Sequence, residues 1–287
     1  MKQLLWFLLL LGTLLAGDRA GGYVLQQQVA QSQFRYARLY GGEAAADILL
    51  VGNSRGLIFY EPYIEEKSGL KTFNLSYNGL PMDAARALAE DYLDRYPAPR
   101  LMLIELTTCD RTNDALLSGF LTFSGQSARL DALIREKSIE NWRAGQLSAL
   151  YRYNNELFQR ALFHRNKTDK DWLLDRAIDP ALAAKVLENN YPLEVHPYLL
   201  EQLRALVAYA QGKGVAVKLV ISPYYPQFTV THLDDLKAEA TRLTGLPVYD
   251  YRDALSDPAS FGDFMHLNKT GAMVYLDQLI GDGVLPF

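Results

Sequence analysis

The segment Ala46-Asp47-Ile48-Leu49-Leu50-Val51-Gly52-Asn53-Ser54-Arg55-Gly56 decides the fold. Four consecutive aliphatic side chains without polar alternation are the pattern of a strand covered on both faces, and Gly52 ends the run. A buried strand over 46–51 is therefore predicted, with a polar, glycine-bracketed turn at its carboxyl end. Working outward, similar apolar runs predict strands over 71–75, 101–106, 215–221 and 247–250. Helical periodicity predicts helices over 31–40, 57–67, 83–96, 199–211, 233–243 and 268–280. Strands that alternate with helices call for right-handed crossovers and a mainly parallel sheet. The expected class is α/β, a three-layer sandwich around a five-stranded sheet. The interval 107–197 is mostly helical and too long for an ordinary connection, and it is read as an inserted helical lid or docking element.

Composition narrows the function. The chain has 287 residues, 49% hydrophobic and 22% charged, which suits a folded globular protein rather than a disordered or fibrous one. Lys and Arg number 29 against 33 Asp and Glu, and no basic run stands out, so a nucleic-acid partner is excluded from the reading. A single cysteine, Cys109, rules out an intramolecular disulfide. The four histidines, His164, His196, His232 and His266, show no zinc-ligand spacing. Neither a metal nor an organic cofactor is implied.

Lys2 precedes an apolar stretch over residues 4–16, the layout of an export signal. Residues 1–22 are read as a signal peptide or an N-terminal membrane anchor. The best cleavage candidate, Ala20-Gly21-Gly22, is poor, and both outcomes stay open. Residues 23–287 are expected to form the α/β domain, exported to a periplasmic or other extracytoplasmic location and held at the inner membrane.

Ligands of open parallel sheets bind beyond the carboxyl ends of the strands. There the chain places Gly52-Asn53-Ser54-Arg55-Gly56 after the first strand, Asn74-Leu75-Ser76-Tyr77-Asn78-Gly79 after the second, and Asp263-Phe264-Met265-His266-Leu267-Asn268 beyond the last. A serine hydroxyl becomes a nucleophile when a base takes its proton and a carboxylate fixes that base's tautomer. Ser54, His266 and Asp263 have the chemistry for these roles, and the three-residue spacing of Asp263 and His266 lets one turn carry both. The amides of Ser54 and Gly79 would then receive an oxyanion. Taken alone, Ser54 also fits a helix cap, and the glycines fit tight turns.

Together these blocks resemble the SGNH/GDSL hydrolase superfamily, whose fold is flavodoxin-like. The resemblance covers about residues 46–110 and 215–287. It implies Ser54 as nucleophile, Asp263 and His266 as its triad partners, and Gly79 in the oxyanion hole. The third block departs from the family pattern: Glu105-Leu106-Thr107-Thr108-Cys109-Asp110 puts Cys109 where the family has an oxyanion-hole asparagine. Asn113 or another donor is the expected replacement. Arg55 and Asn78 are candidate substrate-binding residues, with a structural ion pair the alternative for Arg55. Cys109 itself reads as a small buried side chain.

The departure and the Gly-x-Ser-Arg run after an N-terminal apolar segment are similar to the membrane-anchored branch that modifies polysaccharides or teichoic acids. That resemblance implies a serine acyltransferase, most simply O-acetyl transfer through an acyl-Ser54 ester to an extracellular polysaccharide. It also implies a multispanning membrane acyltransferase as acyl donor. A carbohydrate or lipid esterase, and a catalytically inactive polysaccharide-binding or scaffold component, are the rival expectations.

Overall fold

A computed structural model describes residues 1–286, which divide into two compact units. One comprises 1–43 and 114–169; the other comprises 44–113 and the described residues from 170 onward. The helical insertion is thus shorter than expected. It also groups with the N-terminal segment, because residues 170–197 belong to the sheet unit and 1–43 do not.

The sheet unit is α/β. Strands β1 (Ile48–Val51), β2 (Thr72–Asn74) and β3 (Leu101–Glu105) join β5 (Ala216–Ile221) and β7 (Val248–Asp250) in the order β2-β1-β3-β5-β7, all parallel. Two short strands, β4 (Asn190–Pro192) and β6 (Thr229–Thr231), pair separately; three residues ending in proline carry no legible strand signal. Ile48, Leu50, Leu101, Leu103 and Val220 share one buried cluster with Ile64 of α3 (Glu61–Ser68) and with Tyr275, Leu276 and Leu279 of α12 (Lys269–Gly281). The period of two turns Leu49, Val51, Met102 and Ile104 to the other face. On that side α10 (Pro197–Gly212) packs on α4 (Met82–Arg95) and α11 (Leu233–Thr244). This is the three-layer sandwich expected. The order of strands reverses between β1 and β3, so the crevice for a ligand opens at their carboxyl ends.

The helical unit begins with α1 (Lys2–Ala30), which runs through the glutamine-rich stretch instead of ending before it. It continues with α2 (Arg35–Gly41), α5 (Asp114–Gly119), α6 (Ala128–Lys137), α7 (Ile139–Leu147) and α8 (Glu156–Phe163). One more short helix, α9 (Pro180–Ala183), belongs to the sheet unit. Phe34, Tyr36, Phe120 and Phe123 form the aromatic centre of the helical unit, with ring centroids 5.2–6.4 Å apart. Beside them Arg35 and Asp169 make a buried ion pair at 2.9 Å.

Candidate active site

Ser54 opens a 3₁₀ turn, Ser54–Ile58, directly after β1. Asn53 caps it by accepting the Arg55 N–H on Oδ1 at 2.9 Å, the Asx geometry that lets a strand break sharply. The turn lies flat against its neighbours because Gly56 carries no side chain; a Cβ there would stand 2.4 Å from Ser76 Oγ. Asn74 fastens the second block to the first: its Nδ2 donates to the carbonyls of Gly56 and Phe59 at 2.9 and 3.0 Å, while its Oδ1 accepts from Ser76 N at 2.9 Å.

The histidine loop is fastened just as firmly. Gly262 N donates to His266 O at 2.9 Å, Tyr225 N to Phe264 O at 3.0 Å, and Asn268 N to Ser260 O at 3.0 Å. A segment around Leu174 crosses this loop, with Ile178 N bonded to Phe261 O at 2.7 Å and Lys269 N to Leu174 O at 2.9 Å. Asn268 caps α12 through Gly271 N at 3.0 Å.

These two loops bring the three predicted side chains into one line. His266 Nε2 lies 2.9 Å from Ser54 Oγ, and His266 Nδ1 lies 2.9 and 3.0 Å from the two Asp263 oxygens. Asp263 Oδ1 also accepts the main-chain N–H groups of Met265 at 2.8 Å and His266 at 2.9 Å. Burial pushes the Asp263 carboxyl up, but the hydrogen bonds from His266 and from those amides outweigh it and hold the group below the usual carboxylate range. An ionised Asp263 keeps the proton on Nδ1, which leaves Nε2 as acceptor for the Ser54 hydroxyl.

A cavity of about 250 Å³ opens at the triad, lined by Asn53, Ser54, Gly79, Thr107, Thr108, His266 and others. Ser54 N–H, first in its turn, has no acceptor within that turn. Gly79 lies on the cavity wall at φ +65°, the left-handed region that glycine adopts without strain. Ser54 and Gly79 thus both border the cavity.

Two sequence expectations change, and of the two readings left open for Arg55 the structure shows the ion pair. Asn113 does not line the cavity; its Nδ2 donates to Gly79 O at 3.0 Å and so supports the glycine turn from behind. Asn78 is exposed and also outside the lining. Arg55 borders the cavity but is only 2% exposed, and its guanidinium bonds to protein acceptors. The guanidinium bonds to Glu105 Oε1 at 3.4 Å, to Pro223 O at 3.1 Å, and to the carbonyls of Ser222 and Met265, with Tyr224 stacked 3.5 Å from its central carbon. Burial pushes the Tyr224 hydroxyl up to about 12, so it stays neutral beside this cation. Arg55 therefore ties the residue after Ser54 to the residue before His266. It is a brace between the two halves of the relay.

Glu105, missed in the sequence, is the second half of that brace. Fully buried at the end of β3, it accepts from Arg55 Nε, Ser222 N, and both the N–H and hydroxyl of Thr107. Thr107 in turn accepts Asn53 Nδ2 at 3.1 Å. Cys109 is buried and points toward Leu199 O, and burial pushes its thiol pKa up, so it offers neither a nucleophile nor an oxyanion donor. Across the cavity, Asp110, Arg111 and Tyr191 complete the wall, Asp110 accepting from the Tyr191 hydroxyl, from Arg111 Nε at 3.1 Å and from Glu194 N at 2.8 Å. Neither the protein-family models nor the curated proteins compared with this chain match it.

Proposed function

We propose that the chain is a serine acyltransferase of SGNH type, working through an acyl-Ser54 ester. The observation that carries this reading is the hydrogen-bonded line Ser54–His266–Asp263 at the carboxyl edge of a parallel sheet, beside a cavity bordered by Ser54 and Gly79. Ser54 Oγ attacks the donor's acyl carbonyl and its proton passes to His266 Nε2. The amides of Ser54 and Gly79 receive the oxyanion. As the acyl–oxygen bond breaks, His266 returns the proton to the leaving alkoxide. The acceptor hydroxyl then loses its proton to His266, attacks the Ser54 ester and releases the serine, which takes the proton back.

The family's third oxyanion donor has a counterpart in Asn53. Its side chain lines the cavity and spends one Nδ2 hydrogen on Thr107, leaving the second for the intermediate. At about 250 Å³ the cavity is smaller than the roughly 300–1,000 Å³ of ordinary ligand pockets, which suits a short acyl group such as acetyl. The acceptor in this reading is a hydroxyl of an extracellular polysaccharide, and the donor a multispanning membrane acyltransferase.

The same reading makes α1 a retained membrane anchor. It is long and apolar enough to cross a bilayer, and its apolar window is unburied. Its second half belongs to the folded helical unit: Gly22 and Val29 are buried, and a Cβ on Gly22 would stand 2.5 Å from Ala149 Cβ. Cleavage after Ala20 would remove Asp18, whose carboxylate accepts from Ser148 Oγ, Ala149 N and Leu150 N of the same unit.

A hydrolytic reading, with water as acceptor, is favoured by the part exposure of His266 and Asp263, at 27% and 32%. One experiment addresses both readings: the intact mass of the purified protein and of Ser54→Ala after exposure to an activated acetyl ester, with and without oligosaccharide. A mass gain of one acetyl group in the wild type only, discharged faster by oligosaccharide, is the expected result. Discharge indifferent to oligosaccharide selects the esterase, and no Ser54-dependent adduct rejects the enzyme.

A further inference from the structure

The uncharged apolar run of α1 extends from Leu4 to Gly17. At the point where the run ends, the helix carries Asp18 and Arg19, and both are engaged by one turn of the helical unit. Asp18 accepts from Ser148 Oγ at 2.5 Å, Ala149 N at 2.7 Å and Leu150 N at 3.2 Å. Arg19 Nη2 donates to the carbonyls of Gln146 and Leu147 at 3.3 and 3.2 Å. Leu150 also lies against Gly21.

The turn so fastened displays apolar side chains outward. Leu147 is 76% exposed, Leu150 42% and Tyr151 39%, and on α1 itself Tyr23 and Val24 are exposed at the same height. We infer that residues 146–151 are a shelf that seats in the lipid interface beside α1, giving the helical unit a second contact with the bilayer. The inference rests on the anchor reading above. Three features fit a lipid surface. The apolar patch is continuous with the unburied apolar helix. Tyrosines stand at the level where aromatic belts form. The one carboxylate at that level takes three hydrogen bonds from the shelf, which offsets much of the cost of holding it near hydrocarbon.

The test uses the full chain in nanodiscs of phosphatidylcholine and phosphatidylglycerol, carrying a thiol-reactive environment-sensitive fluorophore on Leu9→Cys, Leu147→Cys or Phe163→Cys; native Cys109 is buried and protected from labelling. Phe163 is also exposed, but its helix meets α1 at the far end, near Ser32. The expected result is a blue-shifted emission, quenched by lipids brominated high on the acyl chain, at positions 9 and 147, and a water-like emission at 163. Lipid at 9 with water at 147 overturns the shelf while the anchor stands. Water at both overturns shelf and anchor together. A blue shift at 147 without lipid quenching assigns the patch to a second copy of the chain and also overturns the proposal. Tyr151→Cys gives an independent reading should the label at 147 prevent folding.

Discussion

Arg55 and Glu105 show what holds the relay in register. Ser54 and His266 are 212 positions apart, and each sits on a loop whose own bonds fix its shape but not its distance from the other. The guanidinium spans that gap by holding the Met265 carbonyl, and Glu105 holds the guanidinium. Lysine cannot reproduce this, because three donors on one nitrogen do not fork to carbonyls and a carboxylate on different sides. Arg55→Lys is accordingly expected to lower the acylation rate of Ser54 by about 10²-fold, the scale of an ångström-level misplacement, with KM for the activated ester little changed. Stopped-flow acylation alongside a melting curve checks it; an unchanged rate in a folded variant would remove the brace from the account. Little of this was legible beforehand. An arginine after the serine read equally as a substrate contact, and the glutamate within the third predicted strand carried no role. Burial of both depends on partners at positions 222–224 and 265, which proximity in sequence does not reveal.

Among the elements, β1 and β3 were legible as continuous apolar runs, which suit a strand buried on both faces, whereas β2 (Thr-Phe-Asn) and β7 (Val-Tyr-Asp) were legible mainly from their place in the alternation with helices. The end of α1 was not. Glutamines suggested a solvated stretch, yet they favour helix intrinsically, and Gly22, Leu25 and Val29 form an inward stripe at helical spacing that only the packing of the helical unit explains. The Ser54 turn illustrates a tighter constraint. Gly56→Ala places a methyl group 2.4 Å from Ser76 Oγ and 3.0 Å from its Cβ, where both residues are buried. It is expected to cost about 1–3 kcal/mol by overpacking, whereas Gly212→Ala, with open space around it, is expected to stay within about 0.5 kcal/mol of wild type. Denaturant unfolding of the two variants checks the contrast, and equal midpoints would contradict it.

For the whole molecule, the consequence of folding is that the N-terminal segment serves two roles. Its first half is unburied and apolar, and its second half is part of a compact unit with residues 114–169. The mature protein is therefore expected to keep its N-terminus and to fractionate with membranes, resisting extraction by high salt and alkali. Intact mass of the protein purified from its membrane fraction checks this; a mass lacking residues 1–20 would refute it.

What the chain's residue order determined alone is the alternation of aliphatic strands and amphipathic helices, and with it a parallel sheet whose carboxyl edge gathers the serine and histidine blocks. Local chemistry suffices for this, since strand burial and turn formation depend on neighbours within a few positions. The tertiary structure alone decided that Arg55 faces inward, that Asn113 supports Gly79 instead of facing the cavity, and that α1 continues into a folded unit. Each of these turns on a partner far along the chain, and a hydrogen bond or a packed face exists only once folding has brought that partner within reach.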